Sequence, residues 1–331
     1  MALIVDSPAL RQWRLRPAPG RTKRDLLSLH DLTIAEISAL LDLAEEMKWH
    51  PRSFQGLLAG HTLAMIFEKP SLRTRVSFEV GMIQLGGHSI YLSPTDIALG
   101  KRESVKDVAR NLARWVDAVT VRTFSHHVLE EMAAGADIPI INALSDLVHP
   151  LQAMADLQTL REIKGTLRGL RLAYVGDGNN VANALAQAAA KTGMHLTIAS
   201  PRGYEPTASV FMQARADALP TGAELSVVQD PADAVKDADA VYTDVWASMG
   251  QESEADDRKN IFAGYQVNPF LMALARPEAV FMHCLPAHRG EEVTDDVLDG
   301  PNSVVLEQAE NRLHVAKAVL LALLGTGQDS Q

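Results

Sequence analysis

The stretch FEKPSLRTR, Phe67 to Arg75, carries Ser71, Leu72, Arg73, Thr74 and Arg75 directly after the apolar run HTLAMIF. Such residues at the start of a helix suit a phosphate. A helix N-terminus offers backbone N–H groups and the positive end of its dipole. Arg73 can donate two parallel hydrogen bonds to phosphate oxygens, and the Ser71 and Thr74 hydroxyls complete a cradle. Arg75 has a plainer alternative, an i,i+4 ion pair with Glu79 on the helix surface. Further on, Arg122 closes DAVTVRTF, and His149 and Gln152 follow IPIINAL. Beside a bound phosphate, an arginine, a histidine and an amide can polarise a carbonyl oxygen, the usual large contribution in acyl-type transfer.

A second group of residues follows later runs. VGDGNNVANA has G-x-G at Gly176 and Gly178, but Val181 stands at the third glycine position of a dinucleotide fingerprint, and HLTIASPR ends without the acidic residue that would take a ribose hydroxyl. Asn179 and Asn180 offer amides suited to a polar zwitterion instead. Asp244 and Ser248 stand four apart in DVWASMG, where Asp244 could hold an ammonium group. Cys284 in HCLP either faces a reacting amine or is a small buried hydrophobe. No metal is expected, because adjacent residues of a strand, His283 and Cys284, point to opposite faces. His126 and His127 read as an exposed loop pair.

These residues need elements to hold them. Thr33 caps a helix over IAEISALLDLAEEMKWH, whose apolar positions recur at three and four residues. Strand HTLAMIF, helix Ser71 to Leu85, strand HSIYLS, helix ESVKDVARNLARWV, strand DAVTVRTF, helix VLEEMAAGA and strand IPIINAL follow. After the linking helix LQAMADLQTLREIKG the alternation restarts, with LRLAYVGD, HLTIAS, AELSVVQ, DAVYTDV, AVFMHCL and SVVLEQ as strands and NVANALAQAAAKTG, ASVFMQARADAL and PADAVKDA as helices. The fold class is therefore α/β, two doubly wound parallel-sheet domains joined by helices. The final amphipathic helix AENRLHVAKAVLLALLG is free to pack back on the first domain. We expect domains at 1–150 and 151–331, with 1–23 a flexible arm; its arginines would also suit a transit peptide, which Asp6 and the prolines disfavour.

Two domains suit 331 residues, and no apolar run is long enough to cross a bilayer. A formal net charge of -10 disfavours nucleic acid as a partner while leaving room for a concentrated cationic pocket. One cysteine, Cys284, forbids an internal disulfide and points to a reducing compartment, the cytoplasm.

FEKPSLRTR, HPLQ, DGNN, DVWASMG, HCLP and ENRLH, in this order from about residue 24 onward, resemble the aspartate/ornithine carbamoyltransferase family, and D-x-W-x-S-M-G points within it to ornithine. The resemblance implies a carbamoyl phosphate site at Ser71, Leu72 through its backbone, Arg73, Thr74, Arg122, His149, Gln152, Cys284, Leu285 and Arg312. It implies an L-ornithine site at Asn180, Asp244, Ser248 and Met249, with Arg122, His149, Asp244 and Cys284 catalytic. It also implies no cofactor and a homotrimer or a multiple of trimers. Two positions depart from the family pattern: Leu72 stands where many members have threonine, and Ala98 about where many carry a glutamine or histidine that reaches a neighbouring subunit's substrate. Other acceptors (aspartate, N-acetylornithine, putrescine), an NAD(P)-dependent oxidoreductase and a paralogue that binds without catalysis are the competing readings.

Overall fold

A computed structural model describes residues 14–17, 23–247 and 254–325. Two compact units make up the chain, Met1–Ser145 with Asn311–Gln331, and Asp146–Glu310. The division falls before His149, so His149 and Gln152 both belong to the second unit.

In the first unit four parallel strands lie in the order β2-β1-β3-β4: β1 (Thr62–Phe67), β2 (His88–Leu92), β3 (Ala118–Arg122) and β4 (Ile140–Leu144). Leu26 extends the sheet by a parallel bridge to Ile141. The longer helices are α1 (Ile34–Trp49), α2 (Leu72–Leu85), α3 (Val105–Leu112) and α4 (His126–Gly135), with short turns of helix between. Thr33 and Glu36 form a reciprocal capping box at the start of α1. Burial on both faces explains the continuous apolar strands; Ile66, Val119 and Val121 pack with Val105, Val108, Leu129 and Met132 from α3 and α4.

In the second unit five parallel strands lie in the order β7-β6-β5-β8-β9: β5 (Arg171–Val175), β6 (His195–Ala199), β7 (Leu225–Val228), β8 (Ala240–Thr243) and β9 (Val280–His283). The helices are α5 (Pro150–Lys164), α6 (Asn180–Thr192), α7 (Ala208–Asp217) and α8 (Ala255–Phe262), with short turns of helix between. Ala173, Val175, Val241 and Phe281 of the sheet bury against Val235, Val267, Val293 and Val297. Helix α9 (Val305–Leu324) starts in this unit, and its residues from Asn311 belong to the first.

Three expectations need correction. SVVLEQ is not a strand: Ser303 makes one bridge to Phe281 and the chain turns into α9 at Val305. Two β-branched residues suggested a strand, but they head a helix whose long apolar face outweighs their propensity. Helix α8 is absent from the periodicity reading, since ADDRKNIF is too polar to show an apolar stripe. His126 and His127 are not a loop pair; they open α4, and half-buried His126 bonds through Nδ1 to Ser145 Oγ at 2.8 Å.

Candidate active site

In an open parallel sheet the ligand crevice lies beyond the carboxyl ends of the strands where their order reverses. In the first unit that point is β1/β3, whose last residues pair as Phe67 and Arg122. Ser71 caps α2 in extended conformation, its Oγ accepting the Thr74 N–H at 3.4 Å and donating to Thr74 Oγ1 at 3.1 Å. Arg312 of α9 donates from Nη2 to Thr74 Oγ1 at 2.8 Å, and both side chains are buried. Ser71, Thr74 and Arg312 are thus joined across a large separation in sequence. Arg73 is half-buried on the first turn and Arg122 half-buried at the strand end.

Arg75 takes the plainer role. Its Nε donates to Glu79 Oε1 at 2.9 Å, and its guanidinium lies 3.9 Å from the centre of the Tyr91 ring. Leu72 is 73% exposed, so its side chain packs little, and what it can offer a ligand is backbone N–H. Ala98 has φ 45, in the left-handed region, at the end of the short helix Pro94–Ile97.

In the second unit the order reverses at β5/β8, whose last residues pair as Val175 and Thr243. Asp244 follows β8 and is buried. Its Oδ1 accepts the Cys284 thiol at 3.0 Å and its Oδ2 accepts Asn179 Nδ2 at 2.8 Å. Asn179 caps α6 at the same time, Oδ1 accepting from Val181 N at 2.9 Å and Ala182 N at 3.2 Å. Its amide therefore holds Asp244 and the helix end, while Asn180 is the half-exposed neighbour. Ser248 and Met249 lie outside the described residues.

The G-x-G segment has a packing explanation. A Cβ on Gly178 would lie 2.2 Å from Pro206 N, and its N–H donates to Tyr204 O at 2.8 Å. The room that a dinucleotide fingerprint keeps for pyrophosphate is filled here by the chain's own backbone. Next to it, Asp177 meets Arg258 Nη1 at 3.1 Å. Burial lifts the Asp177 carboxyl to about 6, outweighing the pull of Arg258. Arg258 also donates to Trp246 O at 2.9 Å and pairs with Glu254 at 3.1 Å, tying down the described residues on either side of 248–253.

His149 caps α5 and precedes Pro150 at its first position; it is buried, as is Gln152 one turn in. Gln152 Nε2 donates to Asp156 Oδ1 at 2.8 Å. The HCLP segment is held by fully buried His283, whose Nδ1 accepts the Leu285 N–H at 2.8 Å and whose Nε2 lies 3.2 Å from buried Glu292 Oε1. Since Nδ1 accepts, the ring proton sits on Nε2 and is donated to the carboxylate. Leu285 itself stands at φ 57.

The opposite-faces argument about His283 and Cys284 fails. Cys284 lies beyond the last residue of β9, where strand alternation no longer applies, and donor atoms of Asp244, His283 and Cys284 all lie within 4.8 Å of one another. Hydrogen bonds engage both ring nitrogens, the thiol and both oxygens of Asp244.

Sequence reasoning did not single out Asp156, Glu292, Arg258 or Gln308. Asp156 had a signal, its i,i+4 spacing from Gln152 on one helix. Arg258 had one too, its i,i+4 spacing from Glu254, but its bonds to Asp177 and Trp246, like those of Glu292 to His283 and of Gln308 to Asp156, come only through the fold.

Fold and strand-end chemistry together define a two-unit α/β protein with polar ligand groups at the reversal point of each parallel sheet. Residues 24–162 match the model of the aspartate/ornithine carbamoyltransferase carbamoyl-P binding domain, and residues 168–323 match that of the Asp/Orn binding domain. An ornithine carbamoyltransferase of Anoxybacillus flavithermus is 55% identical over 91% of this chain and 96% of its own. The solved ornithine carbamoyltransferase of Pyrococcus furiosus superposes with a TM-score of 0.89 at 53% identity, covering 91% of this chain and 97% of that one. The anabolic enzyme of Campylobacter jejuni gives 0.87 at 40% identity, covering 91% and 98%. The chain belongs to the aspartate/ornithine carbamoyltransferase family.

Proposed function

We propose that the protein is an ornithine carbamoyltransferase, moving the carbamoyl group of carbamoyl phosphate to the side-chain amine of L-ornithine to give L-citrulline and phosphate. The observation that carries the choice of acceptor is Asp244, a buried carboxylate held on both oxygens at the reversal point of the second sheet. It suits the ammonium end of an amino acid with a second, reactive amine. An N-acetylated amine would lose that charge contact.

Carbamoyl phosphate binds first, its phosphate on Ser71, Arg73, Thr74, Arg122 and Arg312, with Leu72 contributing its N–H. His149, Gln152, Cys284 and Leu285 surround the carbamoyl group. Ornithine follows, its α-amino and carboxylate groups on Asp244, Asn180, Ser248 and Met249. An alkyl ammonium has a pKa of about 10 in water, and only the neutral amine attacks, so rate rises toward alkaline pH. The new C–N bond forms as His149 and Arg122 stabilise the tetrahedral oxygen. The C–O bond to phosphate then breaks and phosphate leaves with the amine's proton. Alignment of two bound substrates supplies several kcal/mol by proximity, about 7 or more in favourable cases, and no covalent intermediate is needed.

The family resemblance supports a homotrimer, or a multiple of trimers, as the working assembly. The lone cysteine supports a cytoplasmic location; among the described residues no helix is long and apolar enough to cross a membrane. The reaction suits arginine biosynthesis. The test is phosphate release and ureido-product formation with carbamoyl phosphate and, separately, L-ornithine, L-aspartate, N-acetyl-L-ornithine and putrescine. Citrulline and phosphate in equal amounts with ornithine alone is the expected result; product with another amine discards the acceptor assignment.

A further inference from the structure

Asp156 lies one turn beyond Gln152 on α5, and Gln152, Asp156 and Gln308 are each 1% exposed. Gln152 Nε2 and Gln308 Nε2 both donate to Asp156 Oδ1 at 2.8 Å. Gln308 on α9 also accepts, through Oε1, the backbone N–H of His283 at 2.9 Å. One buried chain of hydrogen bonds thus joins the HPLQ segment to the last residue of β9, the strand that leads into HCLP.

The chain of bonds has a fixed polarity. A carboxylate offers only acceptor oxygens, so the edge of each amide that faces Asp156 must be its NH2. Gln308 is held the same way from its other end, where a backbone N–H demands an oxygen. Were Gln152 to turn over, its own oxygen would face the carboxylate in a buried place, acceptor against acceptor. Its carbonyl oxygen is therefore kept turned away from Asp156.

We infer that Asp156, supported by Gln308, is a positioning residue that holds Gln152 as an acceptor toward the transferred group, so that the site selects a carbamoyl NH2 over a methyl in the same place. The inference rests on the reading of Gln152 as a carbamoyl phosphate ligand. Carbamoyl phosphate and acetyl phosphate share a phosphate and a carbonyl and differ only as NH2 against CH3. The cradle on α2 treats them alike. An amide oxygen takes a hydrogen bond from NH2 and is left without a donor by CH3, which is how sites built around a hydrogen bond reject analogues that lack it. Selection between the two acyl phosphates is thereby assigned to the second unit.

The experiment measures KM for carbamoyl phosphate, Ki for acetyl phosphate as a competitor, and KM for ornithine, in the wild type, Asp156→Asn and Gln308→Met. In the wild type the ratio of Ki to carbamoyl phosphate KM is expected at about tenfold or more. Asparagine at 156 can donate as well as accept, which frees Gln152 to turn over. The ratio then falls about tenfold, through a higher carbamoyl phosphate KM, while the acetyl phosphate Ki and the ornithine KM move less than about twofold. A purely structural role would weaken both acyl phosphates together. Gln308→Met shifts the ratio in the same direction by less and decides the matter if Asp156→Asn does not fold. A wild-type ratio near one, or a folded variant with the wild-type ratio, overturns the inference. Citrulline formation by the wild type separates the cases: with it, such a result removes this inference alone, whereas no product and no binding of either phosphate removes the functional reading beneath it.

Discussion

The cradle after β1 and the carboxylate cluster after β8 hold their charges by different means. In the first unit the candidate groups are formal cations and hydroxyls on one helix turn, with Arg312 brought in from α9 to bond Thr74. Arg73 and Arg122 are only half-buried, and the helix dipole adds to them. In the second unit the central group is a buried anion held by neutral partners, Asn179 and the Cys284 thiol, from the ends of two other strands. A phosphate can be met by local, partly solvated charge. A buried carboxylate such as Asp244 is tolerable only when hydrogen bonds satisfy it. The first arrangement concentrates in one stretch of sequence, and the second has to be assembled.

Substitutions on each side test the contrast, and the largest effect is expected in the cradle. Arg73→Ala should lower kcat/KM for carbamoyl phosphate about a thousandfold, the scale of losing a charged donor pair on the transferring group. Near-normal turnover would discard the cradle. Asp244→Asn should cost about a hundredfold, appearing chiefly in kcat/KM for ornithine with the carbamoyl phosphate KM little changed; equal losses for both substrates would erase the division between the units.

Asp177 sharpens the second side through pH. Burial raises its carboxyl from 3.8 to about 6, so the folded chain keeps that proton to higher pH than the unfolded chain does. The favourable contribution is fully present below about pH 4 and is lost as pH rises toward about 6. Relative to Asp177→Asn, the wild type should lose up to about 3 kcal/mol over that window, read from urea midpoints at each pH. A gain over the same window would mean that the Arg258 pair outweighs burial. Gly178→Ala should cost about 2 kcal/mol in the same assay, because its methyl would meet the Glu205–Pro206 backbone. Unchanged stability would show that this face of the G-x-G turn is open, reviving the reading in which a ligand approaches it.

The contrast also explains what could be read beforehand. Thr33 as a cap and Arg75 paired with Glu79 are contacts within four residues, governed by helix geometry, and spacing alone suggested both. The strand and helix alternation was legible because buried parallel strands are continuous apolar runs. SVVLEQ misled because β-branched residues can head a helix as well as fill a strand, and α8 was missed because its residues carry no apolar stripe. His283 and Cys284 misled for another reason: alternation stops where a strand stops, and that residue is not written in the local pattern.

By itself the sequence determined the two α/β halves and the polar character of their strand ends, since both follow from periodicity and short-range spacing. Only the tertiary structure decided which strands lie at the reversal points, that Arg312 meets Thr74, that Asn179 holds Asp244 instead of standing free for a ligand, and that Gln308 bonds Asp156. Those contacts join residues from 65 to 238 positions apart. No local propensity encodes them; they arise when two sheets form and their helix ends and loops have to satisfy one another's buried polar groups.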